Sequence, residues 1–488
     1  MTPDRLTESE RLDRGLVAEV TRLFEAFLEA EVPLFDREVL GHRYWHYVRF
    51  QFFDEVLTGR GWIQRSRLGA RAGRFTKIVV LLRLLKNWML YGIQHDRRPG
   101  ECLILNSGNK FVENGRHLDR FTDVWLSDFK HTFTIWEDHL RWRHSPRNSG
   151  RPVYYLDGMH LRAFWRQFWR RLDQAAIARE ADFLCRWAAE LGGEVSRSAV
   201  VRILTNTLAL LLAGADPIRR QLQRKRPKLL LLVNHYDPLK MLITATARRL
   251  GLYTVELQHG NMGRCHIGYN FAHTRALPTL PDEILTFGRF WNETTRIGQN
   301  GVRLTAVGLP FFEERVRKIP PAPRHDKTRI LILSQEALAA RFSELAVQLV
   351  AHLDSQKYEV HYKMHPLEYA GWRETYPKAF QQANIRVHTN ADLYRLLNET
   401  DVHVGVYSTT IIESLAFGKK LILLEAYGVH YFVDLIRSGR AQFARNADEV
   451  LQAIEAPWSP DQQRANLSYY WEPDSRRKLL ARLEELLA

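Results

Sequence analysis

The chain is expected to fold as an α/β protein with two helix-covered parallel sheets and a helical N-terminal extension. Three observations predict this. Apolar runs of strand length recur at 102–105, 153–156, 228–234, 253–257, 284–287 and 304–307. A second series follows at 329–333, 358–363, 385–388, 402–406 and 421–424, and segments of helical period separate most strands, the alternation that builds βαβ units. Between the series lies a stretch with Pro320, Pro321 and Pro323, which reads as a linker. The expected division is therefore an extension over 1–100, a first Rossmann-like domain with a helical insertion over 101–311, and a linker over 312–326. A second Rossmann-like domain over 327–456 and closing helices over 457–488 complete it. A chain of 488 residues is too long for one core, which agrees with two domains.

Composition narrows the function. The hydrophobic fraction of 45% is that of a globular protein. Three scattered cysteines, Cys102, Cys185 and Cys265, offer neither a disulfide framework nor a metal cluster, and a reducing compartment is expected. The start of the chain is too polar for a signal peptide. The longest apolar run, 78–90, is interrupted by Arg83 and Lys86 and falls short of the ~20 residues of a membrane span. A cytoplasmic protein is therefore expected. The formal charge of +15 calls for an acidic partner. No helix-turn-helix, zinc-finger or RNP pattern is present, so no nucleic acid is expected.

In order, 9–30 reads as an amphipathic helix with Leu16, Val17, Val20, Leu23 and Phe24 on one face. An aromatic cluster, Tyr44 to Phe53, reads as a helix packed on the domain behind it. From 61 to 95 there is no acidic residue, while Arg65, Arg67, Arg71, Arg74, Lys77, Arg83 and Lys86 alternate with apolar and Trp side chains. This segment is either a solvated helical hairpin or an element lying on an anionic inner-membrane surface. A second basic helix, 160–172, spaces Arg162, Arg166 and Arg170 four apart beside Trp165 and Trp169. Turn-rich chain is expected between 106 and 153, and long helices over 173–222. Helix 238–250 starts at Pro238 and stops at Gly251. In the second series, helices fall at 336–353, 367–382, 391–399 and 409–417.

Three loops at strand ends carry the candidate chemistry. Residues 401–425 read strand, turn, helix, strand, with Ser408 placed to cap the helix and Gly418 to end it. The turn Ser408-Thr409-Thr410 offers hydroxyls and free N–H groups to a phosphate, and Glu413, one turn on, is placed for a sugar hydroxyl or for the helix surface. Strand 358–363 ends in Lys363-Met364-His365-Pro366, and strand 253–257 ends in Gln258-His259-Gly260, followed by Arg264. In parallel sheets this edge is where ligands bind.

Two such domains facing across a cleft, a His-Pro turn, and a Ser-Thr turn followed by a helical Glu resemble a GT-B glycosyltransferase. More narrowly, they resemble bacterial sialyltransferases, polysialyltransferases and capsule transferases that use CMP- or CDP-activated donors. The resemblance covers about 228–425 and implies that His365, Pro366, Ser408, Thr409 and Thr410 hold the donor phosphate. The acidic loop that supplies the base in those enzymes is replaced here by Gln258-His259-Gly260. That leaves His259 as the base candidate, the alternative being a residue that only caps its strand, with Glu256 and His266 next in line. Lys363 and Arg264 are further candidates for phosphate charge. No acidic metal motif falls in these loops, so no metal or other cofactor is expected.

The expected partners are a nucleotide-sugar donor, a surface-polysaccharide or lipid-linked glycan acceptor, and the inner-membrane surface. A non-hydride 2-epimerase shares the fold but carries a denser acidic set around a Ser-Gly-Gly turn. A CDP-alditol phosphotransferase of teichoic-acid type and a non-catalytic polysaccharide-assembly component are the other rivals.

Overall fold

The structure, a computed structural model, describes residues 12–63, 74–146, 151–169, 172–322, 325–369 and 372–488. The chain forms two compact units, one of Glu25–Gly61, Arg67–Phe311 and Trp471–Ala488, the other of Met1–Phe24, Trp62–Ser66 and Phe312–Tyr470.

The first unit is built on seven parallel strands: β1 (Cys102–Leu105), β2 (Phe133–Glu137), β3 (Val153–Tyr155), β4 (Leu229–Val233), β5 (Tyr253–Leu257), β6 (Glu283–Thr286) and β7 (Arg303–Ala306). Their order is β7-β6-β5-β4-β1-β2-β3. Every residue of β1 and β4 is fully buried, which is why both read as unbroken apolar runs rather than alternating ones. Strand β2 falls inside the stretch expected to be turns. Its Thr134 is fully buried in the sheet, and a polar residue there hides the run from an apolar count. The same stretch holds a hairpin, Lys110–Glu113 with Arg116–Asp119. Asn114 and Gly115, both at positive φ, form its two-residue turn.

Helices α1 (Leu16–Ala30) and α2 (Trp45–Gly59) match the expected elements. Over 61–95 the described residues hold a helix, α3 (Arg74–Tyr91), and a short 3-10 turn, Ile93–His95. Arg65, Arg67, Arg71 and, further on, Arg170 lie outside the described residues. Next come α4 (Asp157–Trp169), α5 (Gln174–Glu190), α6 (Arg197–Lys225) and α7 (Pro238–Arg249). Among the described residues, α6 is long and apolar enough to cross a membrane, which corrects the expectation that no segment reaches that length. It packs against α2, α4, α5 and α7, burying Val200, Leu204, Leu208 and Leu211 among them.

The second unit has six parallel strands: β8 (Thr328–Leu333), β9 (Tyr358–Lys363), β10 (Ile385–His388), β11 (Val402–Gly405), β12 (Lys420–Leu424) and β13 (Gln442–Ala444). Their order, β10-β9-β8-β11-β12-β13, is the doubly wound Rossmann arrangement, with its switch point between β8 and β11. Strand β13, only three residues long, was not expected. The helix expected over 367–382 is instead short pieces, Pro366–Glu368, Trp372–Thr375 and Lys378–Gln382, since Pro377 cannot continue a helix through its own position. Part of the expected linker is helical, α8 (Pro310–Lys318), with Pro310 at the first position, where its missing N–H costs nothing. The closing helices divide. Pro460–Arg464 and Leu467–Tyr470 belong with this unit, and Ser475–Leu487 with the first.

Candidate active site

In the first unit β5 delivers its C-terminal end into a buried network. Glu256 and His235 are fully buried, and His235 Nδ1 lies 2.6 Å from Glu256 Oε2 while Nε2 lies 3.1 Å from the Gly268 carbonyl. Acceptors stand on both sides of the ring, the Glu256 carboxylate and the Gly268 carbonyl. Tyr269 Oη donates to Glu256 Oε1 at 2.8 Å. Burial alone would raise the Glu256 carboxyl. The charge and hydrogen bond of His235, then those of His259, outweigh it and hold the acid far below its ordinary range.

His259 sits above this pair with a side chain 21% exposed, its Nδ1 3.8 Å from Glu256 Oε1 and its Nε2 3.0 Å from Tyr236 Oη. The Nδ1 is buried without a hydrogen bond. A closure of under 1 Å would complete a carboxylate–imidazole pair, and such bonds are often long before substrate binds. Tyr236 stacks on Phe50 at 4.7 Å. Residue 268 is glycine where a Cβ would stand 2.7 Å from the Tyr236 ring.

The neighbouring candidates behave differently. The Gln258 amide is consumed, its Nε2 donating to the Gly260 carbonyl at 2.7 Å and its Oε1 accepting from Phe287 N at 2.7 Å, so it braces the loop. Gly260 faces open space, and Arg264 is exposed. Glu256, held as a second base, is instead the buried anion behind His259. His266 is pulled down to about 3, by burial first and the charges of His259 and His235 next, which leaves it a poor base.

Sequence reasoning passed over a second group, at the ends of β1, β2 and β3. Buried Glu137 lies 2.6 Å from Lys110 Nζ and accepts from Asn106 at 2.8 Å. His144 bridges Glu137 Oε1 at 3.2 Å and Asp157 Oδ1 at 2.7 Å. Burial would lower the His144 ring, but hydrogen bonds to Asp157 and Glu137 push it up to about 9. Beside it, His160 Nε2 lies 2.8 Å from Asp138 Oδ1, and neither nitrogen of the His139 ring has a hydrogen-bond partner. Asp138, His139 and His160 bring ligand atoms within 4.8 Å of one another, the one such grouping among the described residues that could hold a metal ion. The available signal was a histidine just past a strand end, in Asp138-His139 and in Asn234-His235, the same signal that singled out His259.

In the second unit the predicted residues gather at the C-terminal edge of β9 and β11, on either side of β8. The His365 N–H donates to Glu368 Oε2 at 2.7 Å and Glu368 N donates back to His365 O at 2.9 Å, a reciprocal cap that fixes the His-Pro turn. Glu368 also takes the Ser334 hydroxyl at 2.8 Å, and Lys363 Nζ donates to Tyr369 Oη at 3.3 Å. Pro366 is exposed. After β11, Ser408 Oγ accepts from Thr410 N at 3.3 Å, and the cap position of α9 (Thr410–Ala416) is Thr409 rather than Ser408. Gly418, at φ +64°, ends that helix as expected. The Thr410 hydroxyl is buried without a hydrogen bond. Glu413 is 4% exposed, so it is not a surface residue of its helix.

The class defined by these elements is a protein of two doubly wound α/β units, each with polar groups at its strand C-termini. No protein-family signature matches the chain, and no curated protein matches it in sequence. Among solved structures it is similar to MurG of Acinetobacter baumannii, at 10% identity over 79% of this chain and 100% of that one, with a TM-score of 0.45. The UDP-GlcNAc 2-epimerase of Methanocaldococcus jannaschii matches at 10% identity over 79% and 99%, TM-score 0.44. The lipopolysaccharide outer core galactosyltransferase WaaB gives the same figures, 10% identity over 79% and 99% with a TM-score of 0.44.

Proposed function

We propose that this chain is a GT-B glycosyltransferase that moves a sugar from a nucleotide-activated, CMP-linked donor to a surface-polysaccharide or lipid-linked glycan acceptor, without a metal. The observation that carries the reading is His259, half-exposed at a strand end with the buried anion Glu256 behind its Nδ1. That is the arrangement of a general base whose orientation and developing charge are both supported. The acceptor hydroxyl takes the place now held by the Tyr236 hydroxyl and gives its proton to Nε2. Its oxygen bonds to the anomeric carbon as the bond from that carbon to the phosphate oxygen breaks, and Glu256 stabilises the imidazolium formed.

In the second unit, His365, Ser408, Thr409 and Thr410 receive the departing phosphate, supported by their place at strand C-terminal ends, the Ser408 loop at the switch point itself. Glu413 takes the ribose, and Lys363 adds charge. The acceptor is offered at an anionic membrane surface. The acid-free α3 supports this: Ile78, Leu82, Met89 and Leu90 are exposed on it beside Lys86.

The test is a thermal-shift panel of CMP, CDP, UDP and GDP on the whole chain, followed by product masses with the stabilising donor. Stabilisation by CMP and a product heavier by one sugar are expected, unchanged by EDTA. A product heavier by an alditol phosphate would mean a phosphotransferase. Nucleotide binding without turnover would mean a non-catalytic component.

A further inference from the structure

Away from His259, the first unit encloses a cavity of about 700 Å³ between α3, α4 and α6. Its walls are apolar, with Leu81, Leu84, Ala163, Phe164, Leu210 and Leu239 prominent, and His160 and Asp237 add a polar stretch. The surface around it is apolar too. Leu82 is 59% exposed, Trp165 53% and Trp142 47%, with Ile78, Met89 and Leu140 alongside. Helix α3 thus presents apolar side chains both to the cavity and to the outside, a pattern at odds with a helix facing only water.

The loop after β2 adds a third element. Leu140 and Arg143 exchange backbone hydrogen bonds at 2.8 and 3.1 Å, and the two residues between them, Arg141 and Trp142, lie at φ +50° and +65°. Such a turn favours Asn and Gly; two bulky residues in it are strained, and the result of the strain is to display Trp142. Arg83 Nη1 holds the turn through the Trp142 carbonyl at 3.1 Å. Asp237 lies in the wall, and Arg83, held at the rim by lining residue Trp142, brings a positive charge to the mouth.

We propose that this cavity binds the single hydrocarbon chain of a lipid phosphate, with the phosphate at Arg83 beside Trp142 on its rim. A flat bilayer would cover the outward side chains yet leave a cavity of this size unfilled, whereas a chain drawn from a lipid fills it. The inference deepens the lipid-linked acceptor proposed above and rests on that reading for the lipid's biological role.

Binding of alkyl phosphates of eight, ten and twelve carbons to the full chain, followed below their micelle concentrations by tryptophan fluorescence and calorimetry, tests it without any donor. One site per chain is expected, tightening about fourfold per added methylene, with inorganic phosphate silent and dodecanol at least tenfold weaker than dodecyl phosphate. Ala163→Phe, which fills the cavity, and Leu81→Asn, which makes its wall polar, should each weaken dodecyl phosphate at least tenfold while CMP stabilisation persists. The proposal is overturned by non-saturable binding, by affinity independent of chain length, or by both folded variants binding like wild type. It is overturned equally if the surface proves to be a dimer contact that excludes the probe. Loss of CMP binding with intact alkyl phosphate binding would instead strike the glycosyltransferase reading alone.

Discussion

At the end of β5 and its neighbours, charges are fixed by one another: Glu256 by His235, Glu137 by Lys110 and His144, Asp138 by His160. At the ends of β9 and β11 the exposed and half-buried groups are hydroxyls, turn N–H groups, His365, Lys363 and one carboxylate, Glu368, which is held by hydroxyl and N–H donors rather than by a charged partner, while the buried rings His403 and His430 stay neutral. Burial takes both down to about 3. The difference fits the two tasks proposed above. Proton transfer needs a partner charge already in place when the transition state forms. A phosphate arrives with its own charge and needs donors, which the hydroxyls and turn N–H groups of this edge offer.

That contrast can be broken by substitution, and the largest effect should come first from Glu256. Glu256→Ala removes the buried carboxylate that His235 and Tyr269 share and should destabilise by roughly 3–5 kcal/mol. The counterpart in the second unit, Ser414→Ala, removes a hydroxyl 2.6 Å from His403 Nδ1 and should cost about 1 kcal/mol. Denaturant melts of both variants measure the gap, and equal losses would end the contrast. Next in size, Ser408→Ala with His365→Ala should abolish stabilisation by nucleotide, each lost charge-assisted bond being worth about 1.5–3 kcal/mol. A double variant that binds nucleotide normally removes the site.

His259→Ala should lower turnover by roughly 10², about 2.7 kcal/mol in the barrier, while donor binding stays intact. The ascending limb of the wild-type pH–rate profile should vanish with it. The smallest and most diagnostic effects are in stability against pH. His144 titrates near 9 in the fold against about 6.5 in the unfolded chain, so its contribution is full below pH 6.5 and is lost as pH rises through 9. His403 is depressed to about 3, so the unfolded chain protonates first and stability falls as pH drops from about 6.5 toward 3. His144→Gln should flatten the alkaline slope and His403→Gln the acid one. Crossed or absent changes would overturn these assignments.

Much of this architecture was written in periodicity. Strands such as β4 and β11 are buried on both faces, so their residue types had little freedom and the runs stood out. Strand β2 did not, because Thr134 and Glu137 make it look polar, and β13 is three residues long. The candidate site was legible where a histidine or hydroxyl ends an obvious strand, as at His259, His365 and Ser408, whose roles remain proposals. It was illegible where the partner came from a distant element: nothing local links His235 to Glu256, or His144 to Asp157. Gln258 misled for the opposite reason, since its neighbourhood marks a functional loop while its amide is spent on holding that loop's shape.

The last helix, Ser475–Leu487, has a consequence for biosynthesis. Its Arg482 reaches buried Glu283 on β6 at 3.1 and 2.8 Å, and Trp471 just before it stacks on Phe287 at 5.1 Å. These partners are almost 200 residues upstream of it, so the ribosome finishes the whole second unit before the first receives its closing piece. A nascent chain released short of that helix would carry a complete second unit beside a first one whose Glu283 still lacks Arg482. Quality control could then recognise truncation by a fault in the part of the protein made earliest.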